Sequence, residues 1–117
     1  MSMGTRFGLP LAAALGDQLR CAVFGKFGLH APGLYEGAEV TSRIRTAAAK
    51  VTAPVLFHVQ WDDEVFARDG QFALFDVFPS PDKQLIAYPG AHAEYQPGAT
   101  MAWCRFVCSH LLDTPIF

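Results

Sequence analysis

No stretch of this chain approaches the roughly 18–20 apolar residues that a bilayer span needs, so a membrane is not among its expected partners. Charge is also scarce: 17% of residues are Asp, Glu, Lys or Arg, and the formal net charge is −2. No basic stripe is present to meet a phosphate backbone, which argues against nucleic acid. The three cysteines form no C-x-x-C pair. An odd number without paired spacing reads as reduced thiols of a cytoplasmic protein, not as a disulfide framework. Cys104, Cys108 and His110 share a helical stretch, but two thiols and one imidazole make a poor zinc site without a fourth ligand. Residues 1–15 do not read as a secretory signal, because Arg6 and the glycines interrupt them and no cleavage segment follows. Repeats, charge blocks and low-complexity segments are lacking too.

What is abundant is apolar side chain, at 51% of the 117 residues. That length suits a single domain over residues 1–117. The excess of apolar residues suggests strands buried on both faces, as parallel sheets require, or a surface meant for a partner. The spacing predicts a helix over 4–15, stopped by Gly16, with Pro10 forcing a late start or a kink. "RCAVF" (20–24) reads as a short buried strand, followed by a glycine-rich loop over 25–37. A helix over 40–51 turns Val40, Ile44, Ala47 and Val51 to one side. "PVLFHV" (54–59) is a continuous apolar strand. A helix over 68–78 carries Phe72, Phe75 and Phe78 as its inner stripe. "KQLIAY" (83–88) is a third strand, and a closing helix over 98–112 shows Met101, Trp103, Phe106, Val107 and Leu111. Alternating helices and strands predict an α/β fold: three layers, α/β/α, with a short parallel sheet of about three strands.

Ligands of open parallel sheets gather beyond the carboxyl ends of the strands. Asp62 follows the second predicted strand and His92 the third, so consecutive strands would bring both to one rim. A carboxylate bonded to an imidazole fixes its tautomer and stabilises the imidazolium. Ser2, just ahead of the first helix, would supply a nucleophile. Each residue also has a plainer role: Ser2 as a chain-end polar residue, Asp62 or equally Asp63 as a turn or helix-start cap, and His92 as a loop histidine. His30, His58 and His110 read as structural: a loop residue, a buried strand residue and a residue at a helix end. Trp61 and Phe66 flank Asp62 and would wall an apolar acyl pocket, or serve as core.

The order Ser…Asp…His, with the serine entering a helix, resembles the C-terminal half of an α/β-hydrolase, closest to the dienelactone hydrolase-like group. "SMG" matches the end of the family's G-x-S-x-G turn. "PVLFHVQWDDEVF" is similar to its P-[apolar]4-H-G-x-x-D-x-x-V-P stretch, with Val59 in place of glycine and Phe66 in place of proline. "YPGAHAE" resembles its G-x-H segment. The resemblance implies a triad of Ser2, His92 and Asp62 acting on a small-molecule carboxylic ester or lactone. The backbone N–H of Met3 would serve as part of the oxyanion hole, with no metal or organic cofactor. The family's strands ahead of the nucleophile, and one of its oxyanion-hole amides, have no counterpart here. A less favoured route would use the amino group of Ser2 as its own base after removal of Met1. Lacking the strand that precedes the serine, "RCAVF" would become an exposed sheet edge, and the expectation is a homo-oligomer paired through it. The competing expectation is a catalytically silent, self-associating remnant, or a fragment from a misplaced start.

Overall fold

The computed structural model describes residues 1–31 and 38–112. The elements are α1 (Met3–Leu15), a short 3-10 turn (Gly16–Gln18), β1 (Ala22–Gly25), α2 (Ala38–Ala48), β2 (Val55–Gln60), α3 (Arg68–Val77), β3 (Lys83–Tyr88) and α4 (Pro97–Leu112). Part of the loop expected over 25–37 lies outside the described residues. The three strands are parallel in the order β1-β2-β3. Ala22 registers with Val55, and Val55 with Lys83.

β2 is the centre of the sheet and is buried along its whole length. Successive residues of a strand point to opposite faces, and the partners of β2 separate the helical layers accordingly. Phe57 meets Phe75 and Phe78 of the α3 segment. His58 meets Trp103 of α4. α1 joins the α3 side, since Gly8 comes against the Phe24 ring, and that ring stacks on Phe78 at 5.7 Å. Helices therefore cover both faces. The core is one cluster running from Leu9 and Ala12 through Phe24, Phe27, Ile44, Val55 and Phe57 to Leu74 and Phe78.

Three expectations need correction. α1 does not start late: it begins at Met3 and runs through Pro10, which is exposed and forfeits one ladder N–H. Phe72 and Phe75 pack against the core but only partly buried, and Leu74, Gln71 and Gly70 share the inner face of α3 with Phe78. Met101 and Leu111 of α4 are exposed, while Phe106 and Ala99 face inward. No helix among the described residues is long and apolar enough to cross a membrane.

Candidate active site

All three strands end on the same rim, where the start of α1 meets the segments that follow them. β1 ends at Gly25, which packs so closely on β2 that a Cβ would stand 2.6 Å from the His58 Cβ. On its other side, the Gly25 N–H donates to Thr5 Oγ1 and its carbonyl accepts from the same hydroxyl, both at 3.0 Å. The Gly25 carbonyl also accepts the Ser2 N–H at 2.8 Å. The first turn of α1 is thus stitched to the end of β1 through a fully buried threonine. Neither Thr5 nor Gly25 stood out in the sequence.

That stitching holds Ser2 in an uncommon backbone conformation, φ 51° and ψ −118°. Positive φ is costly for a residue with a Cβ and persists only where neighbours impose it. Ser2 also occupies the N-cap position of α1 but makes no capping hydrogen bond with its side chain, forgoing roughly 1 kcal/mol that an N-cap serine ordinarily contributes. Its hydroxyl lies instead 2.9 Å from Nε2 of His92.

His92 sits in a turn beyond β3 in which the Glu94 N–H donates to the Ala91 carbonyl. Its Nδ1 is 2.6 Å from Oδ2 of Asp63, not of Asp62 as the motif alignment led us to expect. The reason is where the sheet stops. Beyond Gln60 the chain keeps following β3, with the Trp61 and Asp62 amides donating to the Tyr88 and Gly90 carbonyls. Asp62 is consequently exposed, and its Oδ2 accepts from the Gly90 N–H at 3.4 Å. Asp63 turns inward, its side chain fully buried. Oδ1 of Asp63 caps the Val65 and Phe66 amides at 2.8 and 2.9 Å, leaving Oδ2 for the imidazole. Glu64 accepts the His92 backbone N–H at 2.9 Å, a bond that holds the Glu64 carboxyl below its ordinary pKa. Three consecutive carboxylates thus grip the histidine turn.

The hydrogen bonds assign the protons. A carboxylate only accepts, so Nδ1 of His92 donates to Asp63, and in the neutral ring Nε2 accepts from the Ser2 hydroxyl. A serine, an imidazole and a buried carboxylate so aligned can pass the hydroxyl proton to the ring while the acid stabilises the imidazolium. Met3 begins α1, where amides have no carbonyl one turn earlier to bond, so its N–H is free of the helical ladder.

Of the two expected wall residues, Phe66 is fully buried. It packs on Phe27 at 4.6 Å and lies 5.8 Å from the His92 ring, beneath the histidine instead of in an open pocket. Trp61 is exposed beside a concavity of about 380 Å³ lined with Ala67, Arg68, Asp69 and Phe72. The Arg68 guanidinium stands 4.5 Å over the indole. His58 is a buried strand residue, and burial holds its pKa below the usual value. His110 closes α4 with bonds to Asp82 and the Phe106 carbonyl. Among the described residues no group of three His, Cys, Asp or Glu side chains could hold a metal ion.

No protein-family model and no curated protein matches the chain. Solved structures do. The native structure of a cold-adapted esterase from an Arctic intertidal metagenomic library is 29% identical with a TM-score of 0.78, over 93% of this chain and 46% of the esterase chain. Its zinc-bound structure gives a TM-score of 0.77 over the same shares. The fold is that of an α/β-hydrolase, in part. A monoacylglycerol lipase of Paleococcus ferrophilus, 14% identical with a TM-score of 0.70 over 95% of this chain and 65% of its own, shares that α/β-hydrolase fold. The chain spans about half the length of the esterase it matches.

Proposed function

We propose that this chain carries the catalytic machinery of a serine hydrolase acting on small-molecule carboxylic esters or lactones. Ser2 attacks the carbonyl carbon and its hydroxyl proton passes to Nε2 of His92. The tetrahedral oxyanion takes a hydrogen bond from the Met3 N–H. His92 then protonates the leaving oxygen and an acyl-Ser2 ester remains; water attacks the acyl carbon as His92 takes its proton, and the acyl–Oγ bond breaks to release the acid as His92 returns that proton to Ser2 Oγ. Asp63, replacing the expected Asp62, orients the ring and stabilises its charge. Trp61 is assigned to the substrate side. The motifs "SMG", "PVLFHVQWDDEVF" and "YPGAHAE" favour the dienelactone hydrolase-like group, and the free cysteines suit a cytoplasmic setting.

The observation that carries the reading is the unbroken line Ser2 Oγ–His92–Asp63 at 2.9 and 2.6 Å, made by a serine that gives up its helix cap. Likeness to an esterase supports ester hydrolysis in general terms. The test is a fluorophosphonate probe on the intact chain. Wild type should label, and Ser2→Ala should not. Labelling that survives Ser2→Ala, or no labelling of folded wild type, defeats the proposal.

A second reading, self-association, rests on a different observation. Among the described residues β1 pairs with β2 alone, while Met3, Phe7 and Leu11 stand 70, 66 and 61% exposed along α1. We propose that a second copy covers this face and the β1 edge. Sedimentation at micromolar concentration should show dimers, and a clean monomer refutes it.

A further inference from the structure

A chain of buried and part-buried polar groups runs beneath the histidine turn, and the triad does not account for it. Gln60, the last residue of β2, is fully buried. Its Nε2 donates to the carbonyls of Ala91 at 2.7 Å and Glu94 at 3.2 Å. These are the two ends of the turn that contains His92. Both partners are carbonyl oxygens, so the amide has one permitted orientation, with Oε1 facing away from the turn. That Oε1 lies 2.7 Å from Nε2 of His58, which must therefore carry a proton. The other ring nitrogen, Nδ1, accepts the indole N–H of Trp103 at 3.2 Å, so it must not. Every group in the line has one role: Trp103 donates to His58, His58 to Gln60, and Gln60 to the turn.

We propose that Gln60 is a positioning residue for His92, and that His58 and Trp103 hold Gln60 in the orientation this requires. The inference rests on the reading of Ser2 and His92 as nucleophile and base. β2 pairs with β3 from Val55 to Gln60 and with β1 from Val55 to His58, and the Gln60 backbone is held again by Gln71, whose Oε1 accepts its N–H and whose Nε2 donates to its carbonyl, both at 3.0 Å. Gln60 thus ties the turn to the central strand of the sheet. Lys26, just past β1, adds a bond to the Glu94 carbonyl at 3.2 Å, but it is an exposed contact at one end only. Without the two part-buried Gln60 bonds the turn keeps the exposed Lys26 bond and its carboxylate contacts, two of them exposed. A drift of about 1 Å between Nε2 of His92 and the Ser2 hydroxyl is enough to cost roughly a hundredfold in rate.

The test uses the full chain and p-nitrophenyl acetate. Gln60→Met keeps the side-chain volume and removes both donors; Trp103→Phe keeps an aromatic ring and removes the donor to His58. Gln60→Met should lose about a hundredfold in kcat with KM changed by no more than about twofold, the pattern of a lost transition-state alignment, and Trp103→Phe should lose less. Nitrogen-15 NMR supplies a second readout. In wild type His58 should be protonated on Nε2 alone, and the His92 ring shifts should move in both variants. If Gln60→Met does not fold, Trp103→Phe and the ring shifts decide. A His58 proton on Nδ1, unmoved His92 shifts, or Gln60→Met turning over within about twofold of wild type overturns the inference. A folded wild type that hydrolyses nothing sinks the hydrolase reading instead, and the His92 shifts then settle the positioning role.

Discussion

The stitch between α1 and β1 can be cut with one isosteric change. Thr5→Val keeps the shape of a fully buried side chain and deletes the hydroxyl that serves both the N–H and the carbonyl of Gly25 at 3.0 Å. The carbonyl keeps the Ser2 N–H at 2.8 Å, so its loss is one net hydrogen bond, about 1 kcal/mol. The Gly25 N–H is buried and would be stranded, costing about 1–3 kcal/mol more. The sum is about 2–4 kcal/mol. At about 4 °C of Tm per kcal/mol for a chain of this size, calorimetry should record a fall of roughly 8–16 °C. Thr5→Ser is the control: it keeps the hydroxyl and loses one methyl, about 1 kcal/mol or roughly 4 °C. Ser2 hangs from the same carbonyl, so Thr5→Val should also label more slowly with fluorophosphonate well below its Tm, while Thr5→Ser should not. Equal melting of the two variants would refute the reasoning, since only the valine lacks the bonds to Gly25.

Three further outcomes follow from the geometry. Asp63→Asn should lower kcat on p-nitrophenyl acetate by about 10³–10⁴, and Asp62→Asn by less than about threefold; the reverse order would restore the acid to Asp62. Gly25→Ala should prevent stable folding, because its Cβ would stand 2.6 Å from the His58 Cβ and 2.8 Å from its nitrogen, whereas Gly4→Ala meets nothing within 4 Å and should gain about 0.5–1 kcal/mol in the helix. The pKa of His110 is held above its ordinary 6.5 by its bonds to Asp82 and the Phe106 carbonyl. A raised folded pKa contributes stability that is complete below the unfolded value and fades as pH rises through the folded one. Asp82→Asn should therefore lower Tm more at about pH 5.5 than at about pH 8.5, and an equal loss at both would count against the pair.

Most of the architecture was legible because it is written in local patterns. "KQLIAY" is a strand over the expected residues, 83–88, and α3 starts at the expected Arg68. Gly16 stops α1 at φ 52°, and the unbroken apolar run of β2 announced burial on both faces. Where packing decides, the pattern failed. Phe72 and Phe75 pack only partly buried at the margin of the core while Leu74 and Gln71 are fully buried, because a helix touching both α2 and β2 presents whichever stripe the neighbours leave room for. Exposed Met101 and Leu111 show the same limit in α4.

At the candidate site the division is sharper. Three short segments, read in order along the chain, were enough to nominate Ser2, His92 and an acid in "WDDEV". Choosing between adjacent carboxylates was beyond them: successive residues point in different directions, and which one turns inward depends on how far the chain past β2 keeps bonding to β3. The same holds for Thr5, Gly25 and Gln60, ordinary residue types whose roles come from partners 20 and 31–34 positions away. Residue chemistry and spacing are carried by the chain itself. The direction of a side chain is set only when distant backbone arrives to pair with its own.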